Sequence, residues 1–299
     1  MKRRQQGILT GMPFMANVTP RTFVDALGKK LFLAKPPSRV VSMAPSLTEI
    51  LYALDLDETV VAVTPFCDYP PEARRKTQLG GTHPSAEQIF SLKPDLVLVP
   101  QDFIQPDLLH SLDRLKIPVF VLRASQLEDV LGQIQTLARM FNRVKAGDEL
   151  VGMIRRRVQL VKARTQSLVR PRVLYVLNAD PLQTAGPGSF IHQLIEAAGG
   201  TNIAGETATP YPRLAMEEVV ARDPEIIVFP VGDSEGIPVE DQRQWRRWSN
   251  LSAVTHNRFV AVPSVLLDRP GPRLVEGLEL LARAIHPEAY VDASGDKAP

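Results

Sequence analysis

Two glutamates, Glu87 and Glu217, occupy equivalent places in a segment that the chain contains twice. Residues 86–100 read AEQIFSLKPDLVLVP and residues 216–230 read MEEVVARDPEIIVFP, an offset of 130 positions throughout. Each copy is typical of a short helix, a turn of proline and an acidic residue, and a buried strand. Carboxylates pair strongly with arginine, so one such charge in each half could bind a two-fold symmetric partner. Complementing the helix dipole is the simpler alternative for both glutamates.

A chain with two similar halves is expected to form two lobes, with a ligand cleft between them. The walls of such a cleft come from loops at the carboxyl ends of strands. The candidate ligand-binding residues in these loops are Pro45, Ser46, Phe66, Asp68, Tyr69, Gly81, Thr82, His83, Ser189, Phe190, Tyr211, Asp268 and Arg269. Ordinary loop packing is the alternative for the aromatic residues, and helix capping is the alternative for the two serines.

Neither a catalytic centre nor a metal site is expected. The chain has no nucleophile elbow, no phosphate-binding glycine loop and no zinc-ligand spacing. His192 and Glu196 have i, i+4 spacing, but no third ligand accompanies them. The single Cys67 is more typical of a small packed hydrophobe than of a metal ligand. We therefore expect a binding protein with no cofactor of its own.

The composition is that of a globular protein. The chain has 299 residues, of which 44% are hydrophobic, and its net charge of +2 indicates no face committed to nucleic acid. No apolar run has the length of a membrane-spanning helix. Lys2, Arg3 and Arg4 resemble the basic start of a signal peptide, but the apolar run and the lipid-attachment cysteine that would follow are missing. On this ground a cytoplasmic location stays open.

Strands that alternate with helices predict an α/β fold with parallel pairing. Ser46 and Glu49 have capping-box spacing, which predicts the start of the first helix. We expect two Rossmann-like lobes with mainly parallel central sheets, joined by one long α-helix. The expected parts are a tail or ribbon at 1–37, an N-terminal α/β lobe at 38–142, the connecting helix at 143–169, a C-terminal α/β lobe at 170–290 and a tail at 291–299.

Five segments together resemble the class III, helical-backbone periplasmic solute-binding proteins of ABC importers. They are RVVSMAPSLTE from Arg39, VTPFCDYPPEA from Val63, the two glutamate repeats, and RPGPR from Arg269. The resemblance covers residues 22–288 and is greatest to the cobalamin-binding type. It implies a shallow cleft, limited hinge motion and a monomer outside the cytoplasm, which docks onto permease subunits through Glu87 and Glu217.

The resemblance further implies that aromatic side chains pack against a corrinoid, and Phe66, Tyr69 and Tyr211 are available for this role. Arg269 or Arg273 would then meet a phosphate or an amide of the ligand. Two other functions stay open. The same module could bind an iron–siderophore or haem, or the chain could be a cytosolic enzyme that handles corrinoids or metal chelates.

Overall fold

The computed structural model describes residues 21–80, 84–232 and 236–290. Two strands, β1 (Arg21–Val24) and β2 (Lys30–Leu33), form an antiparallel hairpin before the first lobe. The strands of the first sheet are β3 (Val40–Ser42), β4 (Val60–Val63), β5 (Thr77–Gln78), β6 (Leu96–Pro100) and β7 (Val119–Leu122). The helices that alternate with them are α1 (Pro45–Ala53), α2 (Ala86–Ser91), α3 (Pro106–Arg114) and α4 (Leu127–Met140). The sheet is parallel, in the order β5-β4-β3-β6-β7.

The second half of the chain repeats this plan after the long helix α5 (Val144–Thr165). Its strands are β8 (Arg172–Tyr175), β9 (Asn178–Ala179), β10 (Leu182–Gln183), β11 (Thr201–Asn202), β12 (Ile226–Val231) and β13 (Phe259–Pro263). Its helices are α6 (Phe190–Ala197), α7 (Met216–Arg222), α8 (Val239–Gln244), α9 (Ser252–Thr255), α10 (Ser264–Leu267) and α11 (Leu274–Ile285). The main sheet is again parallel, in the order β11-β8-β12-β13, while β9 and β10 form a separate hairpin.

The repeat seen in the sequence extends to the topology of the two sheets. In chain order, four strands of each sheet follow the arrangement 2-1-3-4, and β5 is an additional edge strand in the first lobe. The chain therefore has the expected α/β fold, with two lobes of mainly parallel sheet and one long helix between them. Strands paired in parallel all end at the same edge, which puts the loops that follow them together.

The repeat also extends to individual hydrogen bonds at the opposite edge of each sheet. Asp95 accepts hydrogen bonds from the backbone N–H groups of Ser38 and Arg39, and Glu225 accepts one from the backbone N–H of Arg172. Arg39 donates to the carbonyls of Leu92 and Lys93 at the end of α2, and Arg172 donates to the carbonyl of Asp223 at the end of α7. Each arginine thereby satisfies carbonyl groups that the end of a helix leaves without partners.

Helix α5 packs against both halves of the chain. It follows α4 after a break in which Asn142 has a φ of 58°, and it ends at Thr165, earlier than the expected limit at 169. A side chain at Gly147 would lie 2.3 Å from the Cβ of Ala138, so glycine permits the close approach of α4 and α5. One buried hydrophobic cluster runs from α1 and α4 through α5 into α6 and α11. The positions of the lobe boundaries themselves stay a prediction.

The predicted capping box at Ser46 and Glu49 is wrong. Helix α1 begins two residues earlier, at Pro45, and its N-cap residue Ala44 provides no side-chain cap. Proline suits this place because its fixed φ is already helical and its missing N–H costs no hydrogen bond. Glu49 is buried and bonds to Arg273 of the second lobe, so it does not turn back to the start of its own helix.

Candidate functional site

A cavity of 740 Å³ lies between the two lobes, at the edge where the strands end. The first lobe contributes residues that follow β4 and the end of β5, and the second contributes the ends of β12 and β13 with the start of α10. The residues that line it are Pro65, Phe66, Asp68, Arg74, Gln78, Val231, Gly232, Pro263, Ser264 and Val265. The volume is in the range of small-molecule sites, and an apolar lining with a few polar groups is typical of them.

Asp68 carries charge into this cavity and connects the lobes. Its Oδ1 lies 2.5 Å from Nη1 of Arg269, and its Oδ2 lies 3.8 Å from Nη2 of Arg74. Burial favours the neutral form of Asp68, but the hydrogen bond and the positive charge of Arg269 outweigh it and lower the pKa of the carboxyl group. Asp68 is therefore ionised at neutral pH. Arg269 is buried, and this ion pair occupies its guanidinium at least in part.

A second ion pair crosses between the lobes behind the first. Arg273 donates from Nε and Nη2 to the two carboxylate oxygens of Glu49, at 3.0 and 2.6 Å. Burial raises the pKa of Glu49, and the hydrogen bond and charge of Arg273 oppose that rise. Tyr69 lies against the same arginine, with the guanidinium carbon 3.7 Å from its ring centre. Tyr69 thus supports the interlobe ion pair and leaves 43% of its own surface exposed.

Tyr211 stands near carboxylates of both lobes. Burial raises the pKa of its phenol, and the charges of Asp102 in the first lobe and Asp268 in the second add to the rise. The ring is 39% exposed, so it offers an aromatic surface at the boundary between the lobes. Asp268 also accepts a hydrogen bond from the hydroxyl of the fully buried Tyr175.

The remaining predicted site residues lie in other settings. Ser46 is buried against Gly271 of the second lobe, and Pro45 is half-buried beside it in the first turn of α1. Ser189 is fully buried; its hydroxyl caps α6 through the N–H of His192 and donates to the carbonyl of Gly186. Phe190 belongs to the hydrophobic core. Gly81, Thr82 and His83 lie outside the described residues.

Sequence reasoning missed all five residues that the second lobe contributes to the cavity wall. Val231, Gly232, Pro263, Ser264 and Val265 are apolar or small, so none stood out as a group that could do chemistry. A signal was nevertheless present. The rule that selected loops at the carboxyl ends of strands in the first lobe also points to the ends of β12 and β13.

Cys67 is buried near the cavity but belongs to the core. Burial raises the pKa of its thiol, and Thr48 and Thr64 lie 3.2 Å from its sulfur. A raised pKa keeps the thiol protonated, which makes it a poor nucleophile and metal ligand. Across residues 21–80, 84–232 and 236–290, no three His, Cys, Asp or Glu side chains come together in a way that could hold a metal ion. None of the helices in these ranges has the length and hydropathy that a bilayer-spanning helix needs.

Glu87 and Glu217 are both exposed in the first turns of α2 and α7. Other residues cap these two helices: Ser85 accepts from the N–H of Gln88, and Glu218 accepts from the N–H of Ala215. Among the described residues, neither Glu87 nor Glu217 has an ion-pair partner. The two carboxylates are therefore presented to solvent in equivalent places on the two lobes.

The chain is similar to proteins that bind corrinoids and to others that bind haem. An uncharacterised ABC transporter substrate-binding lipoprotein of Bacillus subtilis, YvrC, is 30% identical over 91% of this chain and 88% of its own length. A cobalamin-binding protein of Halobacterium salinarum is 32% identical over 89% of this chain and 74% of its own length.

Two solved structures extend the comparison. The periplasmic vitamin B12-binding protein BtuF of Vibrio cholerae is 27% identical, with a TM-score of 0.73 over 85% of this chain and 98% of its own. The periplasmic haem-binding protein RhuT of Roseiflexus is 25% identical, with a TM-score of 0.74 over 84% and 99%. The sequence profile described as "Periplasmic binding protein" matches residues 40–266, from the first strand of one lobe to the cavity wall of the other. The chain therefore belongs to the periplasmic binding protein family.

Proposed function

We propose that this protein is the substrate-binding component of an ABC importer, which binds a corrinoid between its lobes and delivers it to a membrane permease. It acts outside the cytoplasm and catalyses no reaction. The observation that carries this proposal is the 740 Å³ cavity between the lobes. The identity of 32% to a named cobalamin-binding protein, over most of both chains, supports a corrinoid as its occupant.

The chemistry of the cavity suits a corrinoid. A corrinoid presents a broad ring with apolar faces and a rim of uncharged amide groups. Phe66, Pro263 and Val265 provide apolar surface, while Asp68 and Gln78 provide groups that accept or donate hydrogen bonds to amides. In this proposal Phe66 and Tyr211 contribute aromatic contacts to the ring, because both are partly exposed at the boundary of the lobes.

Permease docking is assigned to Glu87 and Glu217. Each is exposed, and other residues already cap its helix, so neither is needed for helix capping. Pairing with arginines of a two-fold symmetric membrane component would use both carboxylates at once.

An iron chelate is the second candidate ligand, because a haem-binding protein matches the fold at 25% identity. Haem and many siderophores carry carboxylates or other acidic groups, which favour sites with unpaired cations. In the described part of the cleft, Arg74, Arg269 and Arg273 each have a carboxylate partner within 4 Å. We therefore rank the corrinoid first.

Calorimetric titration of the purified protein with cyanocobalamin, cobinamide, haem and a ferric hydroxamate tests the proposal. Tight binding of one equivalent of a corrinoid is the expected result, and comparison of the two corrinoids shows whether the lower base contributes. Binding of haem or the hydroxamate alone would transfer the function to iron uptake. Failure to bind any of the four would overturn the role as a receptor for these ligands.

A further inference from the structure

The cation that lines the cavity is compensated by a neighbouring carboxylate. Within the described residues, Arg74 and Asp68 are the charged groups of the cavity wall, and they lie 3.8 Å apart. The side chain of Arg74 is 70% exposed, so it reaches toward solvent and any ligand, while Asp68 is held from behind by Arg269. A ligand group that approaches Arg74 therefore also approaches Asp68.

The charged residues next to the cavity lining do not make the cleft more favourable for anions. Arg269 shares Asp68 with Arg74, and Arg273 pairs with Glu49. Asp102 and Asp268 add negative charge beside Tyr211. The described boundary of the lobes thus carries the four carboxylates Asp68, Glu49, Asp102 and Asp268 in addition to Arg74, Arg269 and Arg273.

We propose that the cleft selects a ligand with uncharged amide groups over the same ligand with a carboxylate in place of an amide, and that Asp68 sets this preference. The inference rests on the proposed corrinoid function and specifies that the site recognises the uncharged amide groups of the ligand. An amide can donate a hydrogen bond to Asp68 through its NH₂ group, whereas a carboxylate can only accept.

Electrostatics supports the same preference. Like charges placed together at a binding site oppose association, and their repulsion grows as a ligand excludes water from between them. The lowered pKa of Asp68 keeps its negative charge in place at neutral pH. A carboxylate on the ligand would have to compete with Asp68 for Arg74 and would lose the hydrogen bond that the amide makes.

The test compares cyanocobalamin with a derivative in which one propionamide is hydrolysed to the acid. Wild-type protein is expected to bind the monocarboxylate about tenfold or more weakly than the amide, which corresponds to about 1.4 kcal/mol. The difference in affinity between the two compounds should shrink as ionic strength rises, because salt screens the repulsion between the carboxylates. Equal affinity for both compounds would overturn the inference and leave the corrinoid function intact, whereas wild-type protein that binds neither compound would refute the function and, with it, the inference.

Two substitutions test whether Asp68 sets the preference for an amide over a carboxylate. Asp68→Asn removes the negative charge and should reduce the discrimination against the acid or reverse it. Arg74→Gln leaves the pair of Asp68 and Arg269 in place and, since Arg74 is largely exposed, should not disturb folding. It should increase the discrimination, because Asp68 then faces the ligand without a lining cation. If Arg74→Gln leaves the ratio of the two affinities unchanged, the assignment to this charge pair is wrong, whether or not Asp68→Asn folds.

Discussion

Arg273 of the second lobe holds both carboxylate oxygens of Glu49 in the first lobe, at 2.6 and 3.0 Å. The glutamate side chain is 2% exposed and the arginine side chain 14%, so water competes little for either. Together with the pair of Asp68 and Arg269, this contact connects the two walls of the cleft.

Removal of Arg273 should destabilise the protein substantially. In Arg273→Gln the buried Glu49 loses its partner, and loss of one member of a buried ion pair costs about 3–5 kcal/mol. Urea denaturation followed by circular dichroism measures this as a lower midpoint. The matched control is Arg155→Gln, because Arg155 pairs with Glu128 at the surface, where the side chains are 53% and 69% exposed. That change should cost less than about 1 kcal/mol. Similar losses of unfolding free energy in both variants would show that the interlobe ion pair stabilises the protein no more than a surface pair does.

The lobes should move little when ligand binds. Two interlobe ion pairs are already formed in the structure, and a continuous helix connects the lobes in place of flexible strands. Small-angle X-ray scattering curves recorded with and without a saturating corrinoid should nearly superimpose. A clear decrease of the radius of gyration would contradict this expectation.

Loss of the ring of Tyr211 should weaken corrinoid binding. An aromatic residue that packs on a ligand contributes about 1–3 kcal/mol, so Tyr211→Ala should raise the dissociation constant roughly 5- to 150-fold. Phe32→Ala is the matched control, because Phe32 is 64% exposed on the hairpin of β1 and β2, away from the lined cavity. An unchanged dissociation constant in Tyr211→Ala would remove Tyr211 from the site.

Reversal of charge at Glu87 and Glu217, the proposed docking residues, should abolish delivery to the permease and leave ligand binding intact. The double variant Glu87→Arg, Glu217→Arg should keep its corrinoid affinity, because neither residue lines the described cavity. It should abolish corrinoid uptake into vesicles that contain the cognate permease, since arginines would face arginines. Glu149→Arg, on the exposed side of α5, is the control and should deliver normally. Uptake that survives the double reversal would refute the docking assignment.

Acid should weaken the contact of α5 with α11 through Glu279. Arg157 donates to both carboxylate oxygens of Glu279 at 2.8 Å, and this lowers the pKa of Glu279 from its ordinary value of 4.5. A carboxyl group with a lowered pKa in the folded state contributes stability above 4.5, which is lost as pH falls through the folded pKa. The difference in unfolding free energy between wild type and Glu279→Gln should therefore be nearly constant around neutral pH and shrink as the pH falls below 4.5. A difference that does not change with pH would show that the pair contributes no charge-dependent stability.

The fold could be predicted because the sequence patterns that indicate its helices and strands are local and occur in both halves of the chain. The segments around Glu87 and Glu217 have the same pattern of helix, turn and strand, and each half supplies strands that alternate with helices. Helix capping, the alternative to ligand binding for Ser189, is the role that the structure shows, and it depends only on residues a few positions away.

The electrostatics of the cleft could not be predicted in the same way. Arg269 and Asp68 are 201 positions apart, and Arg273 and Glu49 are 224 apart, so no local pattern pairs them. The sequence left both arginines available to a ligand, whereas the structure gives each a carboxylate of the other lobe. Glu49 shows the limit of local reasoning, because its spacing from Ser46 suggested a helix cap, whereas its partner Arg273 lies directly before α11.

The apolar cluster that passes through α5 contains residues of both halves, so the halves share part of one hydrophobic core. Val151, Ile154 and Val158 of this helix share one core with Leu51 before it and Leu278 after it. If the chain were cut on either side of α5, one fragment would keep the helix with an apolar stripe uncovered, and the other would lose part of its own interior. The halves repeat each other in sequence, but neither is an autonomous folding unit.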